Sequence, residues 1–287
     1  MRRILYGILG ILILVLLVRW FAGSLFLNAP QRLQLVVYGQ DTRIYSIDTK
    51  GNTHYIIHFA PDEKLAIPGG YGYYRVGALS KLVKLEKKPE ILGRAFSLAS
   101  SSFVTMYFYP ESDKLYYGRE VGNIVTMPTP EEIFRYSSNA NIFDRLYLFF
   151  HFAQVKKSDY LLLRSLGDSQ EKNGIRTFVP EHFSKETEGY IFNTTYRQER
   201  QTVQVLYTED YISARNIANI LEGNGIRVVD IKKTDKKDSK CTIARPEKNR
   251  TTDMMSQFFH CPVTEGKNEV SDILFDIRGL EKDWEID

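Results

Sequence analysis

The chain has 287 residues, and its 38 Lys and Arg against 35 Asp and Glu leave a net charge of only +3. No segment carries a dominant basic stripe, which excludes a nucleic-acid partner. Aromatic residues make up 13% of the chain, 18 of them Tyr, a composition that suits half-buried strands and excludes disorder for most of the length.

The first predicted element is an apolar helix. Ile4 to Val18 is almost unbroken in apolar character, and Arg2 and Arg3 precede it. A bilayer core of about 30 Å needs roughly 20 helical residues. Residues 4–27 supply them if Arg19 snorkels and Trp20 sits at the far interface. Positive charge before the span predicts a single pass through the cell membrane, with the N-terminus cytoplasmic and the body extracytoplasmic. A cleaved signal peptide is the alternative, with Ala22-Gly23-Ser24 near a plausible cut. Either way the body is exported.

Residues 32–60 alternate apolar and polar positions around a turn at Asp48-Thr49-Lys50-Gly51-Asn52, which predicts a strand pair. Ile67-Pro68-Gly69-Gly70-Tyr71-Gly72 reads as a tight turn, since no Lys-Ser/Thr follows to make it a phosphate loop. Apolar spacing predicts a helix over Val76 to Leu92, then strands over Phe103 to Tyr109 and Lys114 to Tyr117. Thr129-Pro130-Glu131-Glu132 carries an N-cap, a proline at the first helical position and a capping-box Glu, so a helix runs to about Tyr136. Helices are also expected over Phe143 to Phe152 and Leu161 to Leu166. Residues 167–200 lose periodicity and read as a linker or an ordered excursion.

From residue 201 the pattern is cleaner. Strands at Val203 to Tyr207, Ile226 to Ile231, Thr242 to Arg245 and Ile273 to Ile277 alternate with helices whose apolar face carries Ala214, Ile217, Ala218 and Leu221, and at about Thr251 to His260. The order is β-α-β-β-α-β, a small α+β unit. The second helix should run back along the strand before it, bringing Cys261 close to Cys241, so an oxidising compartment would join them as a disulfide.

Val203-Gln204-Val205-Leu206, Ser213-Ala214-Arg215, Leu221-Glu222-Gly223-Asn224-Gly225 and Asp272-Ile273-Leu274 resemble the C-terminal domain of LytR-type envelope proteins over roughly residues 201–280. Asp41-Thr42, Ser46-Ile47-Asp48, Asp62 through Ile67-Pro68-Gly69, and Arg75-Val76-Gly77-Ala78 resemble pieces of the LytR-CpsA-Psr catalytic domain. That resemblance implies an α+β chain. It would consist of a transmembrane anchor (1–27), a LytR-CpsA-Psr-like α/β domain with helical extension (32–166), a linker (167–200) and a LytR-type C-terminal domain (201–287). Family members transfer glycan polymers from a polyprenyl pyrophosphate lipid to the cell wall.

The departures bear on function. Two arginines that the family's pattern would place here are Gly39 and Pro61, and a pyrophosphate needs guanidinium groups that grip its oxygens in pairs. Candidate replacements are Arg43, Arg75, Lys81 and Arg94, with Asp41 and Asp62 as carboxylates for base chemistry and Asp41 as a metal ligand. His54 and His58 share a strand face but stand about 13 Å apart, too far for one metal. No G-x-S-x-G, H-E-x-x-H or paired C-x-x-C occurs. The expected function is therefore a non-catalytic binding or scaffolding role without a cofactor, toward cell-wall glycan, its polyprenyl-linked carrier or an envelope protein. The alternative is a diverged phosphotransferase using Mg²⁺, with Asp41, Asp62, Arg43 and Arg75 at its centre.

Overall fold

The computed structural model describes residues 2–120, 124–163, 169–172, 174–235 and 240–286. Helix α1 (Arg2–Ala22) is long and apolar enough to cross a membrane, and α2 (Leu25–Asn28) follows it at once. Leu25 is buried and joins the core of the body.

Three antiparallel strands come next: β1 (Arg32–Val37), β2 (Thr42–Asp48) and β3 (His54–Phe59). The expected strand pair is thus a triplet. The polar residues of β2, Arg43 and Ser46 among them, disguise it in the sequence, yet both are buried. A turn at 39–41 reverses the chain, and the Thr42 hydroxyl donates to the Gly39 carbonyl oxygen at 3.0 Å. The hairpin β4 (Lys64–Ile67) and β5 (Gly72–Arg75) then uses the glycine-rich segment as its turn, with Gly69, Gly70 and Gly72 all at positive φ.

The helix expected over Val76 to Leu92 is broken. A 3₁₀ turn (Val76–Ala78) leads into α3 (Leu79–Glu86), Lys87 takes a left-handed conformation, and α4 (Glu90–Ser100) starts after Pro89. Strand β6 (Val104–Tyr109) lies parallel to β1. Lys114 to Tyr117 forms no ladder; its backbone is consumed locally, for instance by the Tyr116 amide donating to Gly77. Helix α5 (Pro130–Phe134) opens on the capping box foreseen at Thr129 and Glu132. The two-residue β7 (Ser137–Ser138) and α6 (Ile142–Gln154) follow.

The helix expected from Leu161 fails at its start, because β8 (Tyr160–Leu162) pairs parallel with β3 instead; residues 164–166 lie outside the described residues. Residues 169–199 carry β9 (Ser169–Lys172), β10 (Ile175–Phe178), α7 (Pro180–Glu186) and α8 (Thr194–Glu199). Strands β9 and β10 extend the β4–β5 hairpin into a four-stranded sheet.

The first sheet, in the order β7-β6-β1-β2-β3-β8, is covered on both faces. Val36, Tyr38, Ile44, Ile57 and Phe59 join the core with Leu79, Leu92 and Phe96 of α3 and α4. Leu33, Leu35, Val37, Tyr45, Ile47 and Ile56 join Ile133, Leu148 and Phe152 of α5 and α6. Alternation in these strands therefore separates two cores, not core from solvent.

The last unit comprises β11 (Thr202–Tyr207), α9 (Tyr211–Gly223), β12 (Arg227–Lys233), β13 (Thr242–Arg245), α10 (Arg250–Phe259), β14 (Val263–Glu265), β15 (Ile273–Asp276) and α11 (Glu281–Trp284). Its sheet runs β12-β11-β15-β13-β14. Strand β14 and helix α11 were not foreseen, being too short to show periodicity. Cys241 and Cys261 are disulfide-bonded with Cα atoms 5.4 Å apart, closing the β13–α10 excursion as expected. A loop of this length contributes about 3 kcal/mol in the chain-entropy account.

The two halves are packed against each other. Phe103, just before β6, belongs to the C-terminal core, and its amide donates to the Asn224 side chain at 3.4 Å. Arg94 pairs with Asp283 at 3.0 Å, and the Gly69 and Gly70 amides donate to the Glu285 carbonyl oxygen.

Candidate functional site

Pairing of Val37 with Arg43 and of Arg43 with His58 puts the end of β1, the start of β2 and the end of β3 side by side. The polar residues just beyond these ends gather there. Asp41 and Arg43 meet, with Arg43 Nε 3.6 Å from Asp41 Oδ2. Arg43 is almost fully buried, at 5% exposure, and its outer nitrogens donate to Thr126 Oγ1 at 2.7 Å and to Glu132 Oε1 at 2.6 Å. His58 Nδ1 lies 2.8 Å from Asp41 Oδ1, and Thr126 donates to Asp41 Oδ2 at 3.2 Å. An ionised Asp41 can only accept, so the Nδ1 of His58 carries the proton.

Burial pushes the Asp41 carboxyl up, but the hydrogen bond and charge of His58, then the Arg43 guanidinium and the Thr126 hydroxyl, outweigh it and hold the group below its ordinary value. Tyr45 donates to the Thr126 carbonyl oxygen at 2.6 Å and lies under the Arg43 guanidinium, 5.6 Å from ring centre to Cζ. Burial pushes its hydroxyl pKa upward.

A second pair lies next to the first. Arg75 donates to Asp62 Oδ1 at 3.2 Å and covers the Tyr117 ring at 4.7 Å, while Asp62 Oδ2 accepts from the Gly118 amide at 3.1 Å. Gln40 joins the two groups by donating to the Tyr117 carbonyl oxygen at 2.9 Å. A cavity of about 50 Å³ opens beside Asp62, Glu63 and Arg119, room for water but not for a sugar or a diphosphate. Lys81 is exposed on α3, and Arg94 is engaged with Asp283 in the other half, so neither joins this group.

The donor set does not suit a divalent cation. Both Asp41 oxygens are engaged by hydrogen-bond donors, and among the described residues no three His, Cys, Asp or Glu side chains gather in a metal-binding arrangement. His54 and His58, placed on one face of β3, have separate partners: His54 accepts from the Asp48 amide and stacks on Tyr160.

Thr126 did not stand out in the sequence, and His58 was weighed there only with His54 as a metal pair. Glu132 was visible only as a capping residue, and its second oxygen is the one that reaches Arg43.

Larger clefts lie between the two halves. One, of about 650 Å³, is lined by Ser101, Lys185, Glu188, Phe192, Arg197 and Glu222. The other, of about 590 Å³, is lined by Glu90, Arg94, Tyr107, Phe258, Asp283 and Trp284. Burial, then the charge of Glu188, raises the Glu222 carboxyl in the first; burial pushes the Tyr107 hydroxyl up to about 12 in the second.

No family model matches the chain, and no curated protein matches it in sequence. Among solved structures it is similar to one described as TagT bound to LIIa-WTA, at 10% identity and a TM-score of 0.36 over 56% of this chain and 89% of that one. It is similar to a LytR-CPS2A-psr family protein, YwtF (TagT), with bound octaprenyl pyrophosphate lipid, at 11% identity and a TM-score of 0.36 over the same shares. A transcriptional regulator from Enterococcus faecalis is similar at 9% identity and a TM-score of 0.31, over 68% of this chain and 87% of that one.

Proposed function

We propose that the chain is a membrane-tethered, extracytoplasmic cell-envelope protein that binds cell-wall glycan and catalyses no transfer. The observation that carries this reading is the internal pairing of Arg43. Its guanidinium is buried and held by Glu132 and Thr126 with Asp41 alongside, two carboxylates against one cation. Arg75 is likewise held by Asp62. A pyrophosphate arriving there would meet a group already neutralised by carboxylates, and binding it would mean breaking a buried ion pair.

Glycan binding is supported by the clefts between the halves. Their volumes of about 650 and 590 Å³ suit a short stretch of polysaccharide, and their linings mix carboxylates, guanidinium groups and aromatic rings. The apolar α1 supports the tether, and the resemblance of the residue segments noted in the sequence points to the envelope.

A second reading has one observation in its favour. The Asp41 side chain is 41% exposed, so a substrate hydroxyl could reach it as the base of a diverged phosphotransferase that takes polymer from a polyprenyl pyrophosphate lipid.

One experiment separates the two. The full chain in detergent micelles is incubated with purified cell wall, a polyprenyl-pyrophosphate-linked glycopolymer and Mg²⁺. The proposed function expects the protein to sediment with the wall while no polymer is transferred. Polymer transfer that is lost in Asp41→Asn would establish the second reading, and failure to sediment would overturn the first.

A further inference from the structure

Helix α6 has an outward face without charge. At 100° per residue, Ile142, Phe143, Leu146, Phe149, Phe150 and Ala153 fall on one arc, while Asp144, Leu148 and Phe152 face inward and are buried. Ile142 is 45% and Phe150 51% exposed. Phe134 of α5, itself 39% exposed, extends the arc by packing on Phe149 with ring centres 5.5 Å apart. A soluble protein seldom leaves such a face to water.

The face is continuous with the end of the apolar N-terminal helix. Phe21 of α1 packs on Phe143 at 5.4 Å, and Phe26 of α2 packs on Tyr147 at 5.5 Å, ring centre to ring centre. The Leu25 amide donates to Asp144 Oδ1 at 2.8 Å, which fixes α2 on α6. Any membrane holding α1 must therefore meet α6 at the level of Trp20 to Leu27, where Trp20, Phe26 and Leu27 are also exposed. Past the C-terminus of α6, Lys156 and Lys157 are exposed and carry the charge that anionic headgroups attract.

We propose that the outward face of α6 lies in the interfacial layer of the bilayer, so that the body is held flat on the membrane and does not swing on a single helix. This rests on the reading of α1 as a membrane span. Of the two Asp and Arg side chains of α6, Asp144 and Arg145, the first turns inward to backbone amides and need not meet lipid. Arg145 also turns inward, to the carbonyl oxygens of Tyr136 and Ala140.

The test uses the full chain in liposomes of phosphatidylethanolamine and phosphatidylglycerol. Cys241 and Cys261 are joined, so under non-reducing conditions a spin label attaches only to an introduced cysteine. Ile142→Cys and Phe150→Cys are exposed positions that report on α6, Leu14→Cys reports on the span, and Ile212→Cys, an exposed position at the start of α9, reports on water. Collision with oxygen is compared with collision with a polar nickel chelate. The proposal expects both α6 labels to favour oxygen several-fold, as at position 14 and opposite to position 212.

Labels on α6 that meet the nickel chelate while position 14 favours oxygen would overturn the proposal and leave the span standing. Labels shielded from both reagents would mean that a second copy or another protein covers α6, which also overturns it. Water access at position 14 would remove the span itself, and the proposal with it.

Discussion

At the level of single residues, Arg43 illustrates how burial decides the meaning of a charge. An exposed ion pair contributes little, because water solvates both partners nearly as well. The side chains of Arg43 and Glu132 are instead 6% and 16% exposed, and the cost of removing them from water is offset only while both are present. Arg43→Ala is therefore expected to lower stability by about 3 kcal/mol or more in a denaturant titration, since Glu132 would be left largely buried without its cation. Replacing both, as Arg43→Met with Glu132→Gln, should recover part of that loss, because no uncompensated charge remains. Asp41 acts through pH. Its folded pKa lies below the ordinary 3.8, so the folded state releases its proton more readily than the unfolded chain. The stabilisation is present above about pH 3.8 and disappears as pH falls through the lower folded value. Asp41→Asn should flatten that acid limb in a series of melting temperatures, and an unchanged limb would remove Asp41 from this role.

At the level of elements, one device recurs: a carboxylate that caps a helix with one oxygen and ties a distant segment with the other. Glu132 accepts from the Thr129 amide and from Arg43 on β2. Asp144 accepts from the Asn141 amide and from the Leu25 amide on α2. Glu281 of α11 and Glu199 of α8 instead give both oxygens to a distant segment, Glu281 to the Thr208, Glu209 and Asp210 amides ahead of α9 and Glu199 to the Arg250 and Thr251 amides that open α10. The local half of the Glu132 contacts is legible from spacing, as the Thr129 box shows. The distant half is not, because nothing along the chain says which strand or helix will face the spare oxygen. The two halves differ in energy as well. Thr129→Ala removes a cap alone and should cost about 1 kcal/mol. Asp144→Ala removes a cap and also leaves the Leu25 amide without its partner, so it should cost about twice as much. Paired denaturant titrations of the two variants check the ranking; equal losses would show that the Leu25 contact contributes nothing.

At the level of the whole molecule, the two halves touch at one backbone contact with no room for a side chain. Gly223 ends α9 against the C-terminal end of α4, where a Cβ would overlap the Ser101 carbonyl oxygen. Ser101 cannot easily yield, since it holds a left-handed cap conformation at φ 48°. Glycine to alanine in an isolated helix is favourable by up to about 1 kcal/mol, but here the overlap dominates. Gly223→Ala is expected to destabilise by about 2 kcal/mol and to split a single calorimetric transition into two as the halves part. One transition with a raised melting temperature would show that the junction adjusts. Periodicity, helix caps and cysteine spacing are properties of neighbouring residues. Four of the five strands of the C-terminal unit, the Thr129 helix start, the apolar N-terminal helix and the Cys241–Cys261 bond could accordingly be read from the chain alone. The third strand at Thr42 to Asp48, the strand in place of a helix at Tyr160, the enclosure of Arg43 by Glu132 and the uncharged outward face of α6 depend on which surfaces meet. Those were decided only in three dimensions, because the burial that turns a polar residue into a core residue, or an apolar face into an exposed one, comes from partners far away along the chain.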